Sequence, residues 1–323
     1  MDFIKPYTSL IESELEQFVL PAKPTTLYDP QRYILSSVGK RIRPILVLLG
    51  CGLCGKDFKK AVPAALAVEL VHNFTLIHDD IMDQAEIRRG NLPVHLKWDE
   101  STAILSGDSL FVQALLQLQK FPEEVDYKRV NKVFLEGVNH VCEGQALDME
   151  FEKRLDVTSE EYLTMIGGKT AALISVSLVL GGLAANASND ILEQLDDLGQ
   201  SLGLAFQVQD DLMDLTADPE KFGKKQGGDI WEGKKTFLMV RTLESCNTDE
   251  REWLTGRLEN RPLTSDDVRE VLKLYKKYRV NEKAEVLLNT YYEKAINILD
   301  RFGDSTYKQD LQNLINYLKQ RDS

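Results

Sequence analysis

The chain has 323 residues, 43% of them hydrophobic and 28% charged, with only 10 Pro and 20 Gly. That balance describes a soluble globular protein long enough to bury a sizeable core, and it excludes disordered and disulfide-framework classes. Lys and Arg number 39 against 51 Asp and Glu, a formal charge of −12, which argues against nucleic acid or an anionic membrane held by bulk charge, so any anion must be gripped by local groups.

At the amino terminus, M-D-F-I-K-P-Y lacks the basic segment, apolar core and cleavage site of an export signal, and a cytoplasmic protein is expected. Most of the remaining chain repeats apolar residues at spacings of three and four, the helical period. Breaks fall at 21–26 (P-A-K-P-T-T), 53–57 (L-C-G-K-D), 88–93 (R-R-G-N-L-P) and 223–229 (G-K-K-Q-G-G-D). Gly39-Lys40-Arg41-Ile42-Arg43-Pro44 precedes the apolar run I-L-V-L-L. Pro44 suits a first helical turn, which puts Lys40 and Arg43 near a helix amino end. Cys51 and Cys54 have redox-motif spacing, but Cys142 and Cys246 form no second pair, and small apolar helix positions are the simpler reading.

The stretch L-I-H-D-D-I-M-D then sets Asp79 and Asp83 on one helix face, with Asp80 about 100° around it. Arg88-Arg89-Gly90 comes next. Thr158-Ser-Glu-Glu161 has the form of a capping box. Gly167-Gly168-Lys169-Thr170 opens the apolar run 170–187, whose Ser, Gly pair and Asn mark a buried core helix rather than a membrane span. It is not a P-loop, since Leu163 stands where that motif needs glycine. Ser188 or Asn189 caps the next helix, with Leu192, Leu195, Leu198, Leu202 and Ala205 on one face. That helix closes on V-Q-D-D-L-M-D-L, a second cluster of Asp210, Asp211 and Asp214. Lys224 and Gly233-Lys234-Lys235-Thr236 lie beyond it, and Thr264-Ser-Asp-Asp267 caps a later helix. With few strand-like runs, the expectation is a single all-α domain over 1–323, a bundle of about ten or more helices around a central cavity.

Three carboxylates on one helix end repel unless cations neutralise them. Oxygen ligands without Cys select hard divalent ions, and Mg²⁺ is commonly held by one or two carboxylates together with substrate phosphates. Two such clusters carry more metal charge than one phosphate needs, which points to a diphosphate. The Gly-flanked Lys and Arg beside the clusters suit its remaining oxygens.

The ordered series G-K-R-I-R-P, E-L-V-H-N-F-T-L-I-H-D-D-I-M-D, R-R-G, G-D-S-L-F, G-Q-A-L-D-M, G-G-K-T, F-Q-V-Q-D-D-L-M-D and G-K-K-Q-G-G-D-I-W-E-G-K-K-T resembles the trans-polyprenyl diphosphate synthases and covers residues 39–236. The resemblance implies that Asp79, Asp83 and Asp210 ligate Mg²⁺, about three ions in the closed complex, with Asp80, Asp211 and Asp214 as direct or supporting ligands. It implies that Arg88, Lys169, Lys224 and Lys234 hold the allylic diphosphate. Lys40, Arg43, His72 and Arg89 would hold isopentenyl diphosphate in a metal-free site, and Thr170 and Gln207 would stabilise the carbocation. It further implies ionisation of the allylic C–O bond, attack by the isopentenyl double bond, proton removal by the released diphosphate, and a homodimer. Val38 replaces a common Gly, Pro93 is displaced by one position, Phe237-Leu238 lacks a common Pro, and the terminal R-D-S lacks a basic tail that some members carry.

In this family the helix of the first Asp cluster lines the product tunnel. Phe74 lies about 7.5 Å before Asp79 along the axis, with Thr75 beside it. One aromatic with a small neighbour resembles a short-chain enzyme making geranylgeranyl (C20) or farnesyl (C15) diphosphate, a longer-chain synthase being the alternative. A terpene cyclase would have no use for Lys40, Arg43 and His72, a His78-Asp79 phosphohydrolase would need further His ligands, and a non-catalytic regulatory subunit would be expected to have eroded its Asp clusters.

Overall fold

Every regular element among the described residues is a helix, and the one β contact is an isolated bridge between Arg88 and Asn91. The structure is a computed structural model describing residues 2–37, 39–216, 227–260 and 262–320. Val38, Lys224 and Arg321-Asp322-Ser323 lie outside the described residues. The helices are α1 Lys5–Glu16, α2 Thr25–Leu35, α3 Ile42–Leu53, α4 Val62–Met82, α5 Val94–Lys97, α6 Glu100–Leu118, α7 Tyr127–Phe151 and α8 Ser159–Ile166. After these come α9 Ala172–Ala184, α10 Asn189–Thr216, α11 Gly228–Glu232, α12 Phe237–Ser245, α13 Thr248–Glu259, α14 Ser265–Lys277, α15 Val280–Leu299 and α16 Thr306–Lys319. The all-α expectation holds.

The chain divides into two compact units. The first comprises Met1–Val138, Val176–Asp196 and Phe302–Leu311, the second Asn139–Ser175, Asp197–Arg301 and Gln312–Ser323, so the division falls inside α7, α9, α10 and α16. In the first unit α4 packs along α6, and Ile45, Leu48, Leu49, Leu70, Ile77, Leu110 and Phe134 are fully buried. Helix α3 meets α9 backbone to backbone, because a Cβ at Gly50 would come within 2.5 Å of Leu178 O and one at Gly181 within 2.1 Å of Val47 O. In the second unit Phe151, Tyr162, Val208, Leu238, Met239, Val240, Leu254, Val271 and Tyr275 belong to one apolar cluster.

Both capping boxes form as the sequence reads them: Thr158 with Glu161 at α8, and Thr264 with Asp267 at α14. Two helical runs, 58–82 and 159–184, are long and apolar enough to cross a membrane, but 61% and 72% of their apolar windows are buried inside the protein, as in core helices. One expectation is corrected. Gly167-Gly168-Lys169-Thr170 does not begin a helix; it forms a π-helical turn, Gly167–Ala171, that continues α8 into α9.

Candidate active site

Helix α4 brings Asp79 and Asp80 to its last turn and ends on Asp83. Gln84 then turns left-handed at φ 49°, donating its N–H to Ile81 O at 3.3 Å, while Ala85 N–H donates to Asp80 O at 2.9 Å. This is a Schellman stop, which reverses the chain after the final carbonyls. Four residues on, Arg89 and Gly90 adopt φ 53° and 76°, and Arg88 and Asn91 exchange backbone hydrogen bonds of 2.8 and 3.0 Å. Two consecutive positive φ values between paired residues define a tight primed turn, which explains the glycine of R-R-G.

The reversal lays Arg88 on the carboxylates. Its Nε donates to Asp80 Oδ1 at 2.7 Å, its Nη2 pairs with the same oxygen, and Nη2 lies 3.8 Å from Asp79 Oδ2. The Asp80 side chain is 1% exposed. Burial holds its carboxyl above the usual range against the opposing pull of Arg88, and its Oδ2 has no hydrogen-bond partner among the described residues. A carboxylate with one oxygen anchored and the other buried and unsatisfied has the chemistry of a cation ligand or its support. The Asp79 side chain keeps 23% exposure, and Asp83 is exposed.

The same turn delivers Arg89 elsewhere. Its Nη1 donates to Ser37 Oγ at 3.2 Å, and a Cβ at Gly39 would come within 3.0 Å of that nitrogen. Arg43, in the first turn of α3, places Nη1 3.5 Å from His72 Nε2 on α4. His72 is held well below its ordinary value by burial first, then by Arg43, Arg89, Arg41 and Arg88, so its imidazole is a neutral hydrogen-bonding group. Burial draws Arg43 down to about 10, with Glu69 opposing and Arg89 adding; it remains a cation at neutral pH. Lys40 is exposed beside this set. Arg43 and His72 thus meet directly, and Arg89 reaches the segment that leads into α3.

Phe74, half-buried on α4, has its ring centroid 4.8 Å from that of His78 and 5.8 Å from Phe111, which stacks on Phe134 at 6.5 Å. Thr75 Oγ1 donates to His72 O at 2.9 Å, so its hydroxyl caps the backbone one turn back.

In the second unit the π-helical turn presents Lys169 and Thr170. A Cβ at Gly144 would fall 2.0 Å from Lys169 N, so bare backbone on α7 receives the turn. Lys169 Nζ donates to Asp148 Oδ2 at 2.5 Å, one turn further along α7. Thr170 Oγ1 donates to Gln207 Oε1 at 2.9 Å, and Gln207 Nε2 donates to Asp211 Oδ1 at 3.3 Å. Asp211 Oδ2 accepts from Tyr162 OH at 2.6 Å and from Phe237 N–H at 2.9 Å. Burial pushes its carboxyl up to about 7 against these donors.

The second cluster therefore differs from the first. Asp210 is exposed, whereas both oxygens of Asp211 are engaged by protein groups. Asp214 Oδ2 accepts from Asp229 N–H at 3.1 Å. Asp229 is itself pushed up to about 6, by burial first, then by Asp214 against Lys234. Lys234 Nζ lies 3.7 Å from Asp229 and 2.7 Å from Glu232. The sequence alone does not single out Arg41, Glu69, Asp148, Asp229 and Tyr162 as site residues. For Asp148 and Asp229 a signal is present, since each lies inside a motif, G-Q-A-L-D-M and G-G-D.

Among the described residues no three His, Cys, Asp or Glu side chains close into a metal-binding group.

Comparison with known proteins places the chain in a family. Residues 24–275 match the sequence profile of the family described as polyprenyl synthetase. The chain is 36% identical to a short chain isoprenyl diphosphate synthase of Methanothermobacter thermautotrophicus, over 100% of this chain and 98% of that one. It is 38% identical to a geranylgeranyl diphosphate synthase of Saccharolobus solfataricus, over 92% and 90%. It superposes on the crystal structure of geranylgeranyl pyrophosphate synthetase from Pyrococcus horikoshii with a TM-score of 0.92 at 36% identity, covering 98% of this chain and 97% of that one.

Proposed function

The chain belongs to the polyprenyl synthetase family, and on that premise we propose that it joins isopentenyl diphosphate head to tail to an allylic diphosphate, with geranylgeranyl or farnesyl diphosphate as product. It is a prenyltransferase of the short-chain class, and residues 1–323 are taken as one synthase domain. The observation that carries the reading is the division made by one turn. Arg88 sits with Asp80 and Asp79, while its neighbour Arg89 bonds Ser37 on the segment that leads to Arg43, which meets His72.

In this reading Asp79, Asp83 and Asp210 hold Mg²⁺, with Asp80 and Asp214 beside them and Asp211 bracing α10 against Tyr162 and Phe237. Bound Mg²⁺ supplies positive charge to the departing diphosphate and so eases ionisation of the allylic C–O bond. Arg88, Lys169, Lys224 and Lys234 neutralise the remaining phosphate charge, and Arg88, Lys169 and Lys234 are positioned in advance by their own partners. The linked Thr170 and Gln207 turn fixed dipoles toward the developing carbocation, and Arg43, Lys40, Arg89 and neutral His72 orient the second diphosphate so that its double bond attacks. Incubation with isopentenyl diphosphate, allylic primers of increasing length and Mg²⁺, followed by product sizing, should give C15 and C20 chains and none after chelation. Absence of any prenyl product would overturn the reaction.

The protein acts in the cytoplasm as a homodimer in this proposal. Leu105, Val112 and Leu116 on α6 are 61, 52 and 45% exposed at spacings of seven and four, apolar residues on one helix face interrupted by Asp108 and Ser109. A second copy is the occupant that makes such a face self-complementary. Light scattering should give twice the chain mass for the natural protein and the single-chain mass for Val112→Asp. A monomeric natural protein would refute the dimer.

A further inference from the structure

Arg41 lies between two proposed substrate ligands in G-K-R-I-R-P, yet its side chain is only 6% exposed and faces the interior. It adopts φ 51°, the left-handed region that non-glycine residues occupy at a cost. Its Nη1 pairs with Glu69 Oε1, and its Nη2 donates to Leu35 O at 3.1 Å and Ser37 O at 2.9 Å. Glu69 Oε1 also accepts from Asn73 Nδ2 at 3.2 Å, and the Glu69 side chain is 2% exposed.

We propose that Arg41 and Glu69 form a buried anchor that positions Arg43, His72 and Arg89 for isopentenyl diphosphate without touching it. The inference rests on the assignment of those three residues to that substrate. The anchor reaches each of the three. Arg41 is two residues before Arg43 at the start of α3. Ser37, whose carbonyl it holds, offers the hydroxyl that receives Arg89. Glu69 is one helical turn before His72 on α4.

Two further observations make the anchor decisive for position. A cleft of about 520 Å³ borders this segment at Leu35, Ser36, Ser37 and Arg41, with Glu12, Glu16 and Arg32 among its other lining residues, and the bonds of Arg41 cross from the segment on its rim to α4. Glu69 is also the carboxylate whose charge offsets the repulsion felt by Arg43 and Arg89. A buried ion pair is often no more stabilising than apolar packing of the same volume. Its role here is to hold cations in register.

The test uses the full chain and reads binding as well as turnover. Arg41→Lys keeps the charge but loses the three-way geometry, and Glu69→Gln keeps the shape but loses the charge. Each should weaken isopentenyl diphosphate about tenfold, both in KM and in direct calorimetric binding without metal. The allylic KM should move less than about twofold and kcat at saturation should persist, with the double variant little worse than either single one. A fold collapse would lower both affinities together. Equal weakening of both substrates, or unchanged isopentenyl diphosphate binding, overturns the anchor. If the natural protein binds isopentenyl diphosphate but does not condense it, and Arg41→Lys still weakens that binding, the reaction reading fails while the anchor stands; no binding by the natural protein removes both.

Discussion

Replacing Asp79 with Asn should lower Mg²⁺-dependent condensation by roughly a thousandfold, about 4 kcal/mol of transition-state stabilisation, and Asp210→Asn should do the same. Both are the accessible leading carboxylates of their clusters: Asp79 keeps 23% side-chain exposure on the last turn of α4, and Asp210 is exposed on α10. Asparagine preserves the size of the side chain and removes the charge that a hard cation seeks. The loss should therefore come with a rise in the Mg²⁺ concentration needed for half-maximal rate, and the thermal midpoint should hardly move. Asp211→Asn is the internal contrast. Its oxygens already serve Tyr162, Phe237 and Gln207, so that change acts on the packing of α10 before it acts on metal. Full turnover by Asp79→Asn or Asp210→Asn would remove the metal assignment.

Phe74→Ala should shift the product by at least one isoprene unit toward longer chains. The ring is held in place by His78 and Phe111, and Phe111 leans in turn on Phe134. Truncating Phe74 removes the first ring of this series and leaves the second, so the gain is expected to be bounded rather than open-ended. The change also opens a cavity at a half-buried position, and stability should fall by less than the about 3–5 kcal/mol typical of a fully buried Phe→Ala. Chain length is read as a distribution, by chromatography of the dephosphorylated alcohols, and a distribution does not depend on how much enzyme stays folded. An unchanged spectrum would take Phe74 out of the tunnel floor.

Much of the architecture is legible because it is written in local chemistry. Thr158 and Thr264 announce helix starts through side chains three residues apart, and the helical recurrence of apolar residues needs no partner to be seen. The illegible part depends on groups distant in the chain. Asp80 and Asp211 occupy the same position in two identical motifs, yet one faces Arg88 and the other Tyr162 and Phe237. Periodicity tells which carboxylates share a face and says nothing of what stands opposite. Arg41 reads as one more basic letter, because its meaning lies with Glu69, 28 residues away. The π-helical turn at Gly167–Ala171 has the look of a helix start because glycines usually punctuate helices, whereas at Gly144 and Gly168 close approach of two backbones is the reason for the missing side chains.

The primed turn at Arg88 to Asn91 has a consequence for how the reaction centre can evolve. Its two guanidinium groups grow from adjacent α-carbons, a separation of about 3.8 Å set by a single peptide bond. Under the proposed assignment, the grips on the electrophile and on the nucleophile are therefore rooted one peptide bond apart, and Asp80 and Ser37 direct the two guanidinium groups to different substrates. Insertion or deletion of one residue would break the paired backbone of the turn and move both grips at once. Substrate choice is then free to drift along the prenyl tail, while the two phosphate handles stay rooted in one turn.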